Sequence, residues 1–218
     1  MIDIALIDYG LGNIRSITKA FEMFGVKPIL TRDPDLIMKS ESIILPGVGA
    51  FAEGMSKLEE LGLREHIVQF ADTGKPILGI CLGMQLLFDS STEFGSSSGL
   101  GLISGCVEKI SQEEGEIKKL PHVSWNSLVA RSDVTWDQTI LDGLDNLTDM
   151  YFVHSYCAKP LNRSYVLSET SYSGVLFCST VKKNNIYGCQ YHPEKSAHYG
   201  LQVIENFIKL SKAQNYEQ

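Results

Sequence analysis

The sequence predicts an α/β protein with a mostly parallel, doubly wound sheet, flanking helices and an attached antiparallel strand region. Short apolar runs alternate with helical patterns in the first half of the chain, which is the order found in parallel sheets. The second half holds several strand patterns separated by turns, which favours antiparallel pairing. No internal repeat or linker is visible, so residues 1–218 are expected to form a single domain.

The first half supplies the predicted parallel strands and the helices that cover them. Each strand is a short aliphatic run, and each helix carries apolar residues three or four positions apart. Asn13 is the expected N-cap of the first helix, and Gly25 is expected to end it. The predicted strands are 2–8, 27–31, 42–45 and 77–80. The predicted helices are 13–24, a short one opening at 33–34, 51–61, 64–71 and 82–88.

The second half supplies the antiparallel region and a closing helix. The predicted strands are 107–110, 151–156, 165–169, 174–182 and 186–191. Residues 198–210 carry apolar side chains at helical spacing and are expected to form the last helix. The serine-rich segment 96–99 is expected to be an exposed loop.

Composition and charge exclude several classes of protein. The chain has 218 residues, 44% hydrophobic and 21% charged, with a formal net charge of −7. The acid excess and the lack of a basic run argue against nucleic-acid binding. We expect no membrane span, because no apolar run approaches about 20 residues, and no signal peptide. Five cysteines without a framework spacing indicate free thiols and a cytoplasmic location.

Cys81 is the cysteine whose setting favours chemistry. It lies between a predicted strand and a predicted helix, flanked by Gly79 and Gly83. This G-x-C-x-G pattern is the thiol form of the nucleophile elbow, in which a tight turn presents the side chain above the sheet. The N-terminus of the following helix favours the thiolate. The alternative is a buried core cysteine, which is what we expect of the other four: Cys106, Cys157, Cys178 and Cys189.

His192 and Glu194 are the candidate base and its orienting group. A cysteine nucleophile needs an imidazole to take its proton, and the imidazole needs a partner to orient it. Pro193 is expected to hold the chain extended, so that the two side chains point to the same side. They follow a predicted strand at its carboxyl end, where doubly wound sheets bind ligands. His122 and His154 remain other candidates, and a structural His-Pro turn is the alternative for His192.

Residues 46–49 form a loop after the predicted strand 42–45, at the same edge of the sheet. Backbone N–H groups at Val48 and Gly49 could combine with that of Leu82 to stabilise a developing oxyanion. Taken alone, such a loop is more often a simple strand-to-helix turn.

Two further motifs are incomplete. Gly10 and Gly12 resemble a dinucleotide fingerprint, but Arg15 stands where the third glycine belongs. Cys189 and His192 have the spacing of metal ligands, but residues three apart on a strand face opposite sides and no second pair exists. We therefore expect neither a metal site nor a bound cofactor.

The motifs together resemble those of the class I (triad) glutamine amidotransferases, and the likeness runs in order along nearly the whole chain. Its two signature blocks correspond to GICLGMQ at 79–85 and GCQYHPE at 188–194. Within the family, the chain is similar to the glutaminase subunits of imidazole glycerol phosphate synthase. The segments that carry this second likeness are DYGLGN at 8–13, LPGVGAF at 45–51, LPHVSWN at 120–126, YFVHSY at 151–156 and KS at 195–196.

The resemblance implies a class I amidotransferase fold and specific roles for the site residues. Cys81 would attack the carboxamide of glutamine, His192 would carry the proton, and Glu194 would orient His192. The glutamyl thioester would then be hydrolysed to glutamate. The residues implied to hold the amino-acid end of glutamine are Gln85, Glu93, Gly49, Ser155 and Tyr156.

The resemblance also implies a heterodimer with a cyclase subunit that is a (β/α)₈ barrel. Ammonia would pass to that subunit through a closed path, and Asn13, Trp125, Asn126 and Lys195 correspond to interface positions. Glutaminase activity would stay low until the partner binds its nucleotide ligand, through a change in the loop 46–49.

One departure from the family pattern keeps a second function open. The block at 121–126 usually has glycine where this chain has Ser124. If that glycine uses a positive φ, serine would strain the segment or tilt Trp125. Paralogues of these glutaminase subunits supply ammonia for amidino groups on surface sugars, so this second function remains an alternative.

Two more functions are kept as alternatives. A cysteine peptidase of related fold usually has histidine directly after the elbow cysteine, where Leu82 stands here. A scaffold without catalysis would not need the Cys, His and Glu together.

Overall fold

The computed structural model describes residues 3–110 and 119–213, so residue 2 of the first predicted strand lies outside it. Within these ranges none of the helices has the length and the apolar character that crossing a membrane requires. The helices are α1 (Ile14–Glu22), α2 (Pro34–Lys39), α3 (Phe51–Glu60), α4 (Leu63–Asp72), α5 (Leu82–Leu86) and α6 (Ala197–Ala213). The strands are β1 (Ile4–Ile7), β2 (Ile29–Thr31), β3 (Ser42–Leu45), β4 (Ile77–Ile80), β5 (Phe88–Ser91), β6 (Ser97–Ser98), β7 (Ile103–Lys109), β8 (His122–Ser127), β9 (Val129–Ala130), β10 (Asp149–His154), β11 (Tyr156–Pro160), β12 (Val166–Tyr172), β13 (Val175–Lys183) and β14 (Ile186–Cys189).

The main sheet has eight strands in the order β2-β1-β3-β4-β14-β13-β12-β9. The first five run parallel to their neighbours. The last three pair antiparallel and extend the same sheet. The predicted fold class is confirmed, and the antiparallel strands are in part a continuation of the parallel layer.

Helices cover both faces of the main sheet, because successive residues of its buried strands point to opposite sides. Ile4 and Leu6 of β1 belong to one core, and Ala5 and Ile7 belong to the other. Residues of α1 and α6 fill the first core, where Phe21 meets Phe207 edge to face at 6.5 Å. Residues of α2, α3 and α4 fill the second core: Ile37, Phe51 and Ile67. This is the doubly wound arrangement.

Two smaller sheets correct the prediction of one strand at 151–156. That segment holds two strands, since β10 pairs with β8 and β11 pairs with β7. The change of sheet falls at Ser155, and a continuous alternating pattern carries no sign of a change of partner. The chain thus bends at Ser155, beside the candidate site.

The segments 82–88 and 96–99 also differ from expectation. The helix ends at Leu86, because Phe88 pairs with Ile103 of β7. Ser97 and Ser98 form β6, and Gly99 is buried where a Cβ would lie 2.2 Å from the Phe88 carbonyl oxygen. Both differences come from contacts with distant strands, which local patterns do not reveal.

Candidate active site

Cys81 lies in a sharp turn between β4 and α5. Its backbone has φ 54° and ψ −110°, which is rare for a residue with a side chain. Its N–H donates to the carbonyl of Cys189 at 2.8 Å, which ties the turn to β14. A conformation of this kind costs about 1–3 kcal/mol and is concentrated at functional sites. The predicted elbow is therefore present, with the unusual backbone on the cysteine itself.

The flanking glycines have a different role from the one predicted. The left-handed φ belongs to Cys81, and neither Gly79 nor Gly83 shares it. A Cβ on Gly83 would lie 1.8 Å from the carbonyl oxygen of Leu45, and one on Gly79 would lie 2.8 Å from the main chain of Gly83. The glycines let α5 pack directly on the sheet, and this packing fixes the position of the turn.

His192 and Glu194 form a buried pair at the end of the strand region. Nδ1 of His192 donates to Oε1 of Glu194 at 2.9 Å, which leaves Nε2 as the unprotonated nitrogen of a neutral ring. Nε2 has no hydrogen-bond partner in the part of the chain that the structure describes. The predicted contact is present but the reason given for it was wrong, since Pro193–Lys195 is a 3₁₀ turn and not an extended segment.

Asn13 also contacts this pair. Its Nδ2 donates to Oε1 of Glu194 at 3.2 Å, while its side chain makes no bond to the start of α1. Asn13 therefore occupies the predicted N-cap position but does not cap the helix with its side chain. It positions the carboxylate instead.

Two opposing effects set the pKa of His192. Burial disfavours the charged imidazolium, whereas the neighbouring Cys81 sulfur and the Glu194 carboxylate favour it. The balance raises the pKa of His192 above its ordinary value. The two neighbouring groups therefore outweigh burial at this ring. A proton taken from the thiol is thus retained well by this ring.

A cavity of about 340 Å³ brings the candidate residues together. Seven lining residues were predicted to belong to the oxyanion or substrate site, namely Val48, Gly49, Leu82, Gln85, Glu93, Ser155 and Tyr156. Cys81 and His192 line the same cavity. Three lining residues were not predicted as site residues, namely Phe94, Pro121 and Val153, and His154, an alternative candidate base, also lines the cavity. Phe94 is 87% exposed and lies near the Tyr156 ring, so it forms the outer wall.

The polar side chains of the cavity are already partly bonded. Gln85 uses Nε2 to donate to the Tyr156 carbonyl and to Gln190 Oε1, each at 2.9 Å. Glu93 uses Oε2 to accept from the Phe51 N–H at 2.7 Å, at the start of α3. Gln85 therefore has only its Oε1 left for a ligand, and that atom accepts hydrogen bonds.

The loop 46–49 is anchored at one end and exposed at the other. The hydroxyl of Tyr9 donates to the carbonyl of Pro46 at 2.5 Å. A Cβ on Gly47 would lie 2.6 Å from that hydroxyl, so the start of the loop packs tightly. Val48 is 40% exposed, and Gly49 has φ +108°, a conformation that favours glycine. The loop thus borders the cavity with its exposed end, while its start is held by the core.

The predicted interface residues fall into two sets. Trp125 is 47% exposed and meets Tyr151 at a ring distance of 6.0 Å, and Lys195 Nζ lies 5.9 Å from the same ring. Asn13 and Asn126 instead donate inward, to Glu194 and to Nε2 of His122. Trp125 and Lys195 therefore both lie near Tyr151, a residue that was not predicted to belong to the interface.

His122 and His154 form a buried pair that is not a base in this geometry. Nδ1 of His154 donates to the Tyr156 carbonyl at 2.8 Å, so its Nε2 accepts from Nδ1 of His122 at 3.1 Å. Nε2 of His122 then accepts from Ser124 and Asn126, each at 2.8 Å. Burial lowers the pKa of His122 to about 4 and that of His154 to about 3. Both nitrogens of each ring are occupied and both rings stay neutral.

The strain that a positive φ would cause at Ser124 is not found. Ser124 lies inside β8, opposite Phe152, and its φ is not positive. Its hydroxyl serves as a hydrogen-bond donor to His122.

The remaining thiols and the other motifs are structural. Burial raises the pKa of Cys157 to about 12 and holds the pKa values of Cys178 and Cys189 above their ordinary range. Cys106 is only half-buried and contacts Glu108, so the expectation of a buried hydrophobe was wrong there.

Among the described residues, the two motifs at Gly12 and at Cys189 show no ligand site. Gly12 packs against Pro46, where a Cβ would come within 2.9 Å. Residues 3–110 and 119–213 contain no cluster of three or more His, Cys, Asp or Glu that could hold a metal.

A cysteine elbow on a doubly wound sheet, facing a histidine–carboxylate pair across one cavity, defines a class of thiol-dependent amidotransferases. A family model described as glutamine amidotransferase class-I matches residues 5–210, and the chain belongs to this family of glutamine-hydrolysing enzymes.

Relatives in this family extend over almost the full length of the chain. It is 44% identical over 213 residues to imidazole glycerol phosphate synthase subunit HisH 1 of Legionella pneumophila (strain Lens), covering 96% of this chain and 100% of that protein. It is also 44% identical over 216 residues to subunit HisH of Geobacter metallireducens, covering 98% of this chain and 100% of that protein.

A crystal structure of a glutamine amidotransferase matches this fold with a TM-score of 0.72 and 16% identity. The match covers 96% of this chain and 98% of that one. At this level of identity the likeness concerns the fold alone.

Proposed function

We propose that this chain is the glutaminase subunit of imidazole glycerol phosphate synthase and works in histidine biosynthesis. It would hydrolyse glutamine to glutamate and ammonia, and its partner, the cyclase subunit HisF, would use the ammonia to make imidazole glycerol phosphate and AICAR. HisH proteins that are 40–44% identical over nearly the whole chain support this assignment. We infer that residues 1–218 act as one amidotransferase domain in the cytoplasm, where thiols stay reduced.

In the proposed reaction, Cys81 is the nucleophile. His192 takes the thiol proton on Nε2, the nitrogen that Glu194 leaves free by accepting from Nδ1. The sulfur attacks the carboxamide carbon, and the same imidazole gives its proton to the departing amine, which leaves as ammonia. Water then attacks the glutamyl thioester, with His192 as base, and releases glutamate and the free thiol.

The cavity wall supplies the other proposed groups. The N–H groups of Val48, Gly49 and Leu82 are proposed to stabilise the negative charge on the carboxamide oxygen. Leu82 is the first residue of α5, so its N–H has no partner inside the helix. A change at the exposed end of the loop 46–49 would then switch activity on when the partner binds its ligand.

The amino-acid end of glutamine is proposed to lie deeper in the same cavity. Oε1 of Gln85 and the carboxylate of Glu93 are acceptors suited to an ammonium group. The main chain at Gly49, Ser155 and Tyr156 would bind the carboxylate end. A cavity of about 340 Å³ has room for a small zwitterion such as glutamine. Because glutamine carries no net charge, the net charge of −7 on the chain does not oppose its binding.

The proposed docking surface for the (β/α)₈ cyclase subunit contains Trp125 of β8, Tyr151 of β10 and Lys195 of the 3₁₀ turn Pro193–Lys195. Asn13 and Asn126 lie at its inner edge, where they contact Glu194 and His122. A sealed contact is needed because ammonia in water at neutral pH becomes ammonium and is no longer nucleophilic. This contact would give a heterodimer.

The observation that carries the proposal is that Cys81 shares its cavity with His192, whose Nδ1 donates to Glu194. The Cys81→Ala variant, assayed with glutamine in the complex with the cyclase subunit, is expected to release no glutamate above background. The Cys106→Ala variant is the matched control, because Cys106 lies on the far β7 strand, and it should keep full activity. Glutamate release by Cys81→Ala at the native rate contradicts the proposal.

The partner is tested separately by co-purification. We expect a tagged chain to capture a (β/α)₈ cyclase subunit, and the ligand of that subunit to raise glutaminase activity. Capture of a barrel protein dedicated to amidino-sugar synthesis would favour the alternative pathway.

A further inference from the structure

Gln190 is a fully buried amide that the mechanism above does not use. It follows β14 directly, and its main-chain N–H donates to the carbonyl of Ser179 at 2.9 Å. It does not line the cavity, so it cannot contact a glutamine bound there. A buried side-chain amide needs partners for its oxygen and its nitrogen. Both partners belong to the candidate site.

The direction of the hydrogen bonds is fixed by a main-chain carbonyl, which can only accept. The carbonyl oxygen of Tyr156 accepts from Gln85 at 2.9 Å and from His154 at 2.8 Å, which uses both of its lone pairs. The side-chain nitrogen of Gln85 must therefore face Tyr156. Its second hydrogen then points to Oε1 of Gln190 at 2.9 Å.

The amide nitrogen of Gln190 is consequently the end that faces the nucleophile. Nε2 of Gln190 lies 3.8 Å from Sγ of Cys81, a distance suited to an N–H···S hydrogen bond. The thiol can donate its own hydrogen to the Val153 carbonyl, 3.9 Å away. The sulfur is thus held between a donor just after β14 and an acceptor on β10.

We infer that Gln190 is a positioning residue that donates a hydrogen bond to the sulfur of Cys81. The bond is stronger when the sulfur is a thiolate, because the acceptor is then charged. Gln190 would therefore favour the attacking form and hold it towards the cavity. Its role in turnover rests on the proposed function, but its effect on the sulfur does not.

The test measures alkylation of Cys81 by iodoacetamide across pH, with peptide mapping to separate Cys81 from the other cysteines. The Gln190→Met variant keeps the side-chain length and has no hydrogen to donate. We expect the midpoint of its pH–rate profile to move upward and its rate at neutral pH to fall about three- to tenfold. In the glutaminase assay, kcat should fall, and KM reports separately on Gln85, which loses its contact with Oε1 of Gln190 in this variant.

The matched control is Gln69→Met on the exposed face of α4, which should behave as the native chain. If Gln190→Met does not fold, Gln190→Leu replaces it, because leucine has no hydrogen for the sulfur and adds no charge beside it. An alkylation profile that superposes on the native profile in a folded Gln190 variant overturns the inference. A native Cys81 that resists alkylation at every pH overturns the proposed function as well.

Discussion

Two buried histidine sites in this molecule have opposite electrostatic behaviour. At one, the His192 ring donates to the Glu194 carboxylate, and its pKa is raised. At the other, His122 and His154 bond to each other and to neutral groups, and their pKa values fall to about 4 and about 3. All three rings are buried, so burial alone does not decide the outcome.

The groups next to a buried histidine, rather than burial itself, decide whether its ring can take up a proton. Desolvation lowers the pKa of all three rings. Only His192 has neighbours, the Cys81 sulfur and the Glu194 carboxylate, whose effect on its pKa outweighs desolvation. The result is one ring able to hold a proton during catalysis and two that act as fixed hydrogen-bond connectors.

The largest expected effect comes from removing the charge beside His192. Glu194→Gln keeps the shape of the side chain, but its neutral amide does not stabilise the imidazolium. We expect glutaminase activity to fall about 10²- to 10⁴-fold, measured as glutamate release in the complex. Glu205→Gln on the solvent side of α6 is the control and should be unaffected. Native activity in Glu194→Gln would remove the distinction between the two sites.

A stability change is expected at the histidine pair. His122→Phe keeps the stacking between Phe152 and Tyr172 but leaves Nε2 of His154 buried without a donor. We expect the free energy of unfolding in urea to fall by about 1–3 kcal/mol. His198→Phe at the exposed start of α6 serves as the control, with a change below about 0.5 kcal/mol. Equal losses in the two variants would count against the hydrogen-bonded pair.

The pH dependence of stability should have two limbs. His122 and His154 ionise more readily in the unfolded chain, where the ordinary pKa is 6.5, so stability falls as pH decreases from 6.5 towards about 4. The pKa of His192 is raised, so its contribution to the free energy of unfolding is complete below pH 6.5 and is lost as the pH rises above that value. We expect urea titrations to show a shallower acid limb in His122→Phe and a shallower alkaline limb in Glu194→Gln. Unchanged limbs in both variants would disagree with these assignments.

The smallest effect is expected at Ser124. Ser124→Ala removes one of two donors to Nε2 of His122, while Asn126 still supplies the other. We expect a loss of about 0.5–1.5 kcal/mol in the free energy of unfolding. Thermal unfolding of the single variants and of the Ser124→Ala/His122→Phe double variant should give non-additive changes. Strict additivity would mean that the hydroxyl does not act through His122.

Features set by neighbouring residues could be predicted from the sequence. The elbow at Cys81, the four strands of the first half and the pairing of His192 with Glu194 each follow from a short motif. The last was obtained with an incorrect reason, since the chain at Pro193 turns and is not extended. Local patterns thus predicted the candidate reacting groups but not their backbone geometry.

Features set by distant residues could not be predicted. The strand β8 and the break at Ser155 depend on which strands pair, as does the end of α5 at Leu86. Asn13 was expected to cap α1, but it contacts a carboxylate 181 positions away. Gln190 lies within the signature block 188–194, but no role was predicted for it, because its significance lies in the atoms of Gln85 and Cys81 that surround it.

The most direct test of the account is labelling with a glutamine analogue that carries an electrophilic chloroketone. The native chain, in complex with its cyclase partner, is treated with the analogue and analysed by intact mass and peptide mapping. We expect one adduct on Cys81, formed more slowly in Glu194→Gln, with the other four cysteines unmodified. An adduct on another cysteine, or no adduct while glutamate is still produced, would contradict it.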